Sequence, residues 1–200
     1  MPFHTAGLDL DLLVLFNQTL RGSLLDLLAP LLSSRAALFA LLAACLVWAV
    51  RRLGPRQIVL FVLLLAAMGL SDLACGQIKD RVLRVRPMDA LPGVYYQQNG
   101  DWQRRPPDFV QEKRDGSSYP SAHAANSMTL ALLAMLLWPR TRPWLTLLPL
   151  LVGWSRVYLG KHYPTDVLSG WLLGLCVATL VWLLWKGLLE RRVLPPPKER

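Results

Sequence analysis

The sequence predicts an all-α, multi-pass membrane helical bundle, and three observations lead there. Of its 200 residues, 54% are hydrophobic, more than an ordinary soluble domain of this size carries. Several apolar runs approach the roughly 20 residues needed to cross about 30 Å of hydrocarbon. Much of the basic excess falls between those runs, with short turns at Arg51-Arg52-Leu53-Gly54-Pro55-Arg56 and Arg140-Thr141-Arg142-Pro143. No internal repeat is visible, and the chain reads as one domain over 1–200.

The formal charge of +9 does not point to nucleic acid. The basic residues form no continuous stripe, and the spans leave no surface for a duplex. Anionic lipid head groups are the better partner. Cys45, Cys75 and Cys176 each sit inside an apolar run, where a free thiol behaves as a small hydrophobe. Their odd count and wide spacing argue against a disulfide framework. The N-terminus lacks the basic segment of a cleavable signal; Asp9 and Asp11 occupy that place.

Residues 8–33 are amphipathic. Leu13, Phe16, Leu20, Leu24, Leu27 and Leu31 recur at helical steps, with Asp11, Gln18, Arg21 and Asp26 toward the other side. Ser23 followed by Asp26 reads as a helix cap, so the spacing predicts a break at Gly22-Ser23 and two short helices in the interface. The alternative is a single, poor sixth span. Five clearer spans follow at about 35–51, 57–78, 121–138, 144–160 and 164–186. Pro164 is a good first helical residue and forces Tyr163 to be extended. Residues 88–119 form a long polar loop, either covering the site or serving as a disordered connector. The tail over 188–200, with three successive prolines, is expected to be disordered.

Three short stretches carry the chemistry: Lys79 with Arg86-Pro87, then Pro120-Ser121-Ala122-His123, then Ser155-Arg156 with His162 and Asp166. In this order and spacing they resemble the three-part motif of the type 2 phosphatidic acid phosphatase family, K-x6-R-P, P-S-G-H and S-R-x5-H-x3-D, over roughly residues 56–186. The match departs at Ala122, where the family usually has Gly. An alanine there keeps its backbone N–H and needs only negative φ and room for a methyl.

The resemblance implies a lipid phosphatase working through a phosphohistidine. Lys79, Arg86 and Arg156 would hold the phosphate oxygens, with Ser121 and the backbone at Ala122 adding donors at a positive helix end. His162 would attack phosphorus, Asp166 would orient it, and His123 would protonate the leaving oxygen. The residues alone leave other roles open. Ser121 is equally a plain helix cap, and Asp166 a favourable charge at a helix N-terminus. Asp72 reads as a solvated residue at the interface or as a partner of the basic groups, and Arg81 and Arg84, outside the motif, as interfacial anchors. No metal-binding constellation and no cofactor motif appears, and His4 matches nothing.

Parity supports the reading. Spans two and four run toward the face from which spans three and five return, so all three motif stretches meet on one side of the membrane. Short basic turns and a cluster of Trp48, Trp138, Trp144, Trp182 and Trp185 mark the opposite, cytoplasmic end. The expected location is a bacterial inner membrane, with the site facing the periplasm or outside. In that setting the resemblance implies undecaprenyl diphosphate, phosphatidylglycerol phosphate, phosphatidic acid or lipid A as substrate, the short chain favouring the first. A lipid phosphotransferase and a non-enzymatic membrane scaffold are the competing readings. A vanadium haloperoxidase shares the motif but not the spans.

Overall fold

The computed structural model describes residues 7–193. His4 and the last part of the tail lie outside them. The chain begins with α1 (Gly7–Val14), runs on as a π-helical turn over Leu15–Thr19, and restarts as α2 (Ser23–Leu32). The two segments bend by 118° at the break. The break falls where the sequence placed it, but the cap is Gly22, extended at φ −172° and ψ 154°. Asp26 does not complete a capping box. It pairs with Arg21 and accepts a 2.6 Å hydrogen bond from the Tyr158 hydroxyl, because an adjacent guanidinium binds a carboxylate more strongly than a helix-end amide does.

Then come α3 (Arg35–Leu53), α4 (Arg56–Val82), the short α5 (Pro87–Ala90), α6 (Ala122–Leu137), α7 (Arg142–Leu145), α8 (Leu147–Tyr158), α9 (Pro164–Leu184) and α10 (Glu190–Val193). Helix thus continues through residues 188–193, which the sequence assigns to a disordered tail. Among the described residues three helical stretches are long and apolar enough to cross a membrane: Arg35–Leu53, Arg56–Ala90 and Pro164–Leu188. The bent pair Gly7–Thr19 and Ser23–Leu32 would make a fourth if taken as one broken span. Of the other two expected spans, α6 has 16 residues, about 24 Å at roughly 1.5 Å per residue. The fourth is divided at Thr146 into α7 and α8.

The core lies where α4, α6 and α9 meet. Leu64, Ala67 and Met68 of α4 pack on Leu130, Leu133 and Ala134 of α6 and on Ala178 of α9. Two glycines let α9 approach α6 closely. A Cβ at Gly170 would stand 2.5 Å from the Ser121 carbonyl oxygen, and one at Gly174 would stand 2.4 Å from that of Ala125. The Thr129 hydroxyl then reaches the Gly174 carbonyl at 3.3 Å. Close approach of small residues is the usual way helices associate without a hydrophobic driving force. Here it draws the first turns of α6 and α9 together, which matters for the site.

Residues 88–119 contain the end of α5 and a β-hairpin. Strands β1 (Tyr95–Gln98) and β2 (Asp101–Arg104) pair antiparallel, Tyr95 opposite Arg104, about an Asn99-Gly100 turn with both φ angles positive. The N-terminal segment grips this hairpin. Buried Asn17 donates to the carbonyls of Tyr95 (2.8 Å) and Tyr158 (2.7 Å) and accepts from the Tyr95 N–H at 2.8 Å. The Arg21 guanidinium lies over the rings of Tyr95, Trp102 and Tyr158.

Candidate active site

All the motif residues but His162 sit at helix ends. Lys79 is in the last turn of α4 and Arg86 caps α5. Ser121 caps α6, with its hydroxyl accepting from the Ala124 N–H at 3.4 Å, and Ala122 and His123 begin that helix. Ala122 is buried without a positive φ, so the alanine is accommodated. Arg156 lies in the last turn of α8 and Asp166 in the first turn of α9. His162 occupies the loop between those helices. The loop starts at Gly160, whose φ of +64° and contact with the Tyr95 carbonyl (2.6 Å to a built Cβ) exclude a side chain.

His162 and Asp166 are buried, with relative exposures of 2% and 0%. His162 Nδ1 lies 2.7 Å from the backbone carbonyl of Ser118 and 3.7 Å from Asp166 Oδ2. A carbonyl can only accept, so Nδ1 carries the proton and Nε2 keeps its lone pair. Burial pushes the imidazole down to about 4; Arg156 and Arg86 add to this and Asp166 opposes it. The ring is therefore neutral at physiological pH. Burial, with Arg156 and Arg86 nearby, also lowers the Lys161 ammonium from its usual range.

The partner of Nδ1 is thus Ser118 rather than Asp166. The Asp166 carboxylate is filled by other donors: Arg84 Nη1 at 2.6 Å, the Ser118 hydroxyl at 2.5 Å and the Tyr163 N–H at 2.9 Å. The backbone N–H of Ser121 also donates to the Asp166 carbonyl at 2.9 Å, locking the first turns of α6 and α9.

Arg156 and Arg86 both act on His162, and the cations form one group with it. Arg156 is 5% exposed, and its Nε has no hydrogen-bond partner among the described residues. No carboxylate among the described residues pairs with it. Its electrostatic neighbours are Arg86 and Arg35, and Lys79 feels both Arg86 and Arg156. A buried, unpaired guanidinium is costly unless an anion compensates it. His123 feels Arg156 and His162, which joins the second motif to the third. It also lines a groove of about 470 Å³ whose other walls include polar Ser34, Arg35, Asp72 and Asn126 and apolar Leu38, Leu41, Leu65 and Met68. Asp72 accepts from Asn126 at 3.3 Å, and its carboxylate is felt by Lys79.

Three residues of the site are not visible from the motif. Arg84, read as an interfacial anchor, is 6% exposed and bridges Asp9 and Asp166. The left-handed turn at Leu83 (φ 52°) swings it inward; Arg81 stays exposed. Asp9 had a usable signal, since an acidic residue in an apolar helix is costly in a membrane and implies a partner. Ser118 acts partly through its carbonyl, which no sequence pattern reports.

The profile of the PAP2 superfamily matches residues 60–189. The chain belongs to that superfamily. Among curated proteins it is 40% identical over 88 residues to an undecaprenyl-diphosphatase of Sulfolobus acidocaldarius, covering 39% of this chain and 41% of that protein. It is 30% identical over 166 residues to phosphatidylglycerophosphatase B of Escherichia coli K12, covering 68% of this chain and 65% of that protein. The chain therefore spans less than two thirds of the length of either. Among solved structures, LpxE from Aquifex aeolicus superposes with a TM-score of 0.68 at 24% identity, over 91% of this chain and 99% of that one. At that identity the likeness is one of fold.

Proposed function

We propose that this protein is an integral-membrane lipid phosphatase that hydrolyses a lipid phosphate or diphosphate ester through a phosphohistidine at His162. The observation that carries the reading is Arg156, buried without a carboxylate and grouped with Arg86 and Lys79 beside a neutral His162. Such a group is stabilised by the oxygens of a phosphoryl group, and phosphoryl transfer is mainly positioning and charge stabilisation.

In the first step, His162 Nε2 forms a bond to phosphorus while the bond to the leaving oxygen breaks, and His123 gives that oxygen a proton. In the second, His123 takes a proton from water, the water oxygen bonds to phosphorus, and the phosphorus–nitrogen bond breaks to release inorganic phosphate. Lys79, Arg86 and Arg156 meet the charge on the phosphoryl oxygens, so turnover is expected to persist in EDTA and to be blocked by vanadate. The lipid tail would lie along the leucines of the groove that His123 lines.

Undecaprenyl diphosphate is the substrate we favour, supported by the similarity to the undecaprenyl-diphosphatase of Sulfolobus acidocaldarius. We place the chain in a bacterial inner membrane with five crossing helices and the site toward the periplasm.

The two histidines provide the test. His162→Ala should be inactive on lipids and on activated aryl phosphates alike. His123→Ala should lose lipid turnover yet give a burst with a good leaving group and accumulate acid-labile, base-stable phosphate at position 162. Phosphate trapped at position 123 instead would reverse the assignment. No turnover by the wild type on any lipid phosphate would remove the reading.

A further inference from the structure

We propose that Asp9 and Arg84 are positioning residues that set the charge the site presents to His162. The inference rests on the phosphatase reading above. Both residues lie outside the three-part motif, and Asp9 also lies outside the region that matches the family, which begins at residue 60.

Arg84 Nη2 is 2.7 Å from Asp9 Oδ2, and Arg84 Nη1 is 2.6 Å from Asp166 Oδ1. The three side chains are 4%, 2% and 0% exposed. Thr165 completes the junction. Its N–H donates to Asp9 Oδ1 at 2.9 Å, its hydroxyl donates to Oδ2 at 2.8 Å, and Arg84 Nη1 lies 2.8 Å from that hydroxyl. The guanidinium also lies 3.9 Å from the centre of the Tyr163 ring. α1 thus delivers a carboxylate to the first turn of α9.

One guanidinium between two carboxylates leaves one net negative charge. With Arg84 and Asp166 alone, the pair would be neutral, and His162 would face a dipole. Asp9 shares the guanidinium and so leaves negative charge on Asp166, 3.7 Å from His162 Nδ1. That charge is of use only when Nε2 bonds to phosphorus, because the ring, with Nδ1 still protonated, then becomes cationic. In a buried site a fixed charge at this distance is felt strongly. A purely mechanical junction between α1 and α9 would need the contacts but not this charge balance.

Asp9→Asn keeps the side chain's size and removes its charge. Its turnover is expected to fall about tenfold or more, with KM little changed, because only the transition state and intermediate lose stabilisation. Asp9→Asn combined with Arg84→Gln loses both ion pairs but restores one negative charge, on Asp166. This double variant should regain a substantial part of the lost turnover. If the junction is only mechanical, the double variant will be worse than the single one, and the proposal is overturned. Vanadate affinity, measured by calorimetry on purified protein in detergent, should follow the same order without depending on turnover. Should the polar double variant fail to fold, Asp9→Leu with Arg84→Met fills the same space with apolar groups and carries the same expectation. A wild-type chain that neither hydrolyses lipid phosphates nor binds vanadate sinks the phosphatase reading and this inference together.

Discussion

Ser118 stands between His162 and Asp166 and is bonded to both. Its carbonyl takes the Nδ1 proton of His162 at 2.7 Å, and its hydroxyl donates to Asp166 Oδ2 at 2.5 Å. The carbonyl selects the tautomer whatever the side chain is, while the hydroxyl steadies the carboxylate. Ser118→Ala should therefore keep the neutral Nδ1–H ring and lose only one of three donors to Asp166. A hydrogen bond to a charged group contributes about 1.5–3 kcal/mol, so turnover should drop roughly tenfold to a hundredfold, not to zero. Steady-state assays against His162→Ala as the inactive reference check this; complete loss in a folded Ser118→Ala protein would show that the hydroxyl does more than steady Asp166.

Arg156 should be worth more to catalysis than to folding, and the two effects should have opposite signs. Its guanidinium is buried with no carboxylate among the described residues. Arg156→Met removes an uncompensated buried charge, so the thermal midpoint without ligand should hold or rise. Turnover should fall by on the order of 10²–10³ as an oxyanion contact is lost. Arg156→Lys should not fully restore it, because the planar fork is gone. A folded Arg156→Met protein with near-normal turnover would remove Arg156 from the site.

What the sequence revealed and what it hid divide along a physical line. Lys79, Arg86, His123, Arg156, His162 and Asp166, the residues of the proposed site, could be singled out because their types and spacings survive in one dimension. Pro164 marked the start of α9 through its fixed φ, and the chain does enter helix there. The pairing of Asp9 with Arg84 was not legible, because 75 positions separate partners that only the packed helices bring together. The hairpin over residues 95–104 had a local signal in Asn99-Gly100, but its grip by Asn17 and Arg21 is again long-range. The span count was the least legible feature. Apolar runs give length, yet α6 stops at Leu137 and the following run breaks at Thr146.

The protonation state of His162 is open to direct measurement. Its pKa lies near 4, below the ordinary 6.5, so between those values the unfolded chain binds more protons than the folded one. This group's contribution to stability is therefore present above about 6.5 and is lost as pH falls toward 4. In protein labelled with ¹⁵N-histidine, the His162 signals, assigned by comparison with His162→Gln, should stay those of a neutral Nδ1–H ring from pH 8 down to pH 5. A midpoint near 6.5, or a neutral ring protonated on Nε2, would contradict both the burial argument and the role given to the Ser118 carbonyl.

Orientation in the membrane can be read from the hairpin. Gly100 and Asp101 lie exposed at its turn, on the same side of the bundle as His162, since Tyr95 contacts Gly160. Trp48, Trp138 and Trp144 line a common cavity with Leu53, Pro139 and Arg140, which groups the two basic turns and these tryptophans at one place in the bundle. Basic short loops favour the cytoplasmic side, and tryptophans favour an interface. The hairpin is then expected on the outer side. An Asp101→Cys variant should react with an impermeant maleimide in intact spheroplasts. The background must lack the native thiols Cys45, Cys75 and Cys176, so that only position 101 can carry the label. Gly100 is a poor site for the label, because its φ of +95° disfavours a side chain. Labelling of Asp101→Cys only after lysis would turn the protein over and place the phosphate chemistry on the cytoplasmic face, where the short basic turns would have to lie outside, against the usual charge bias.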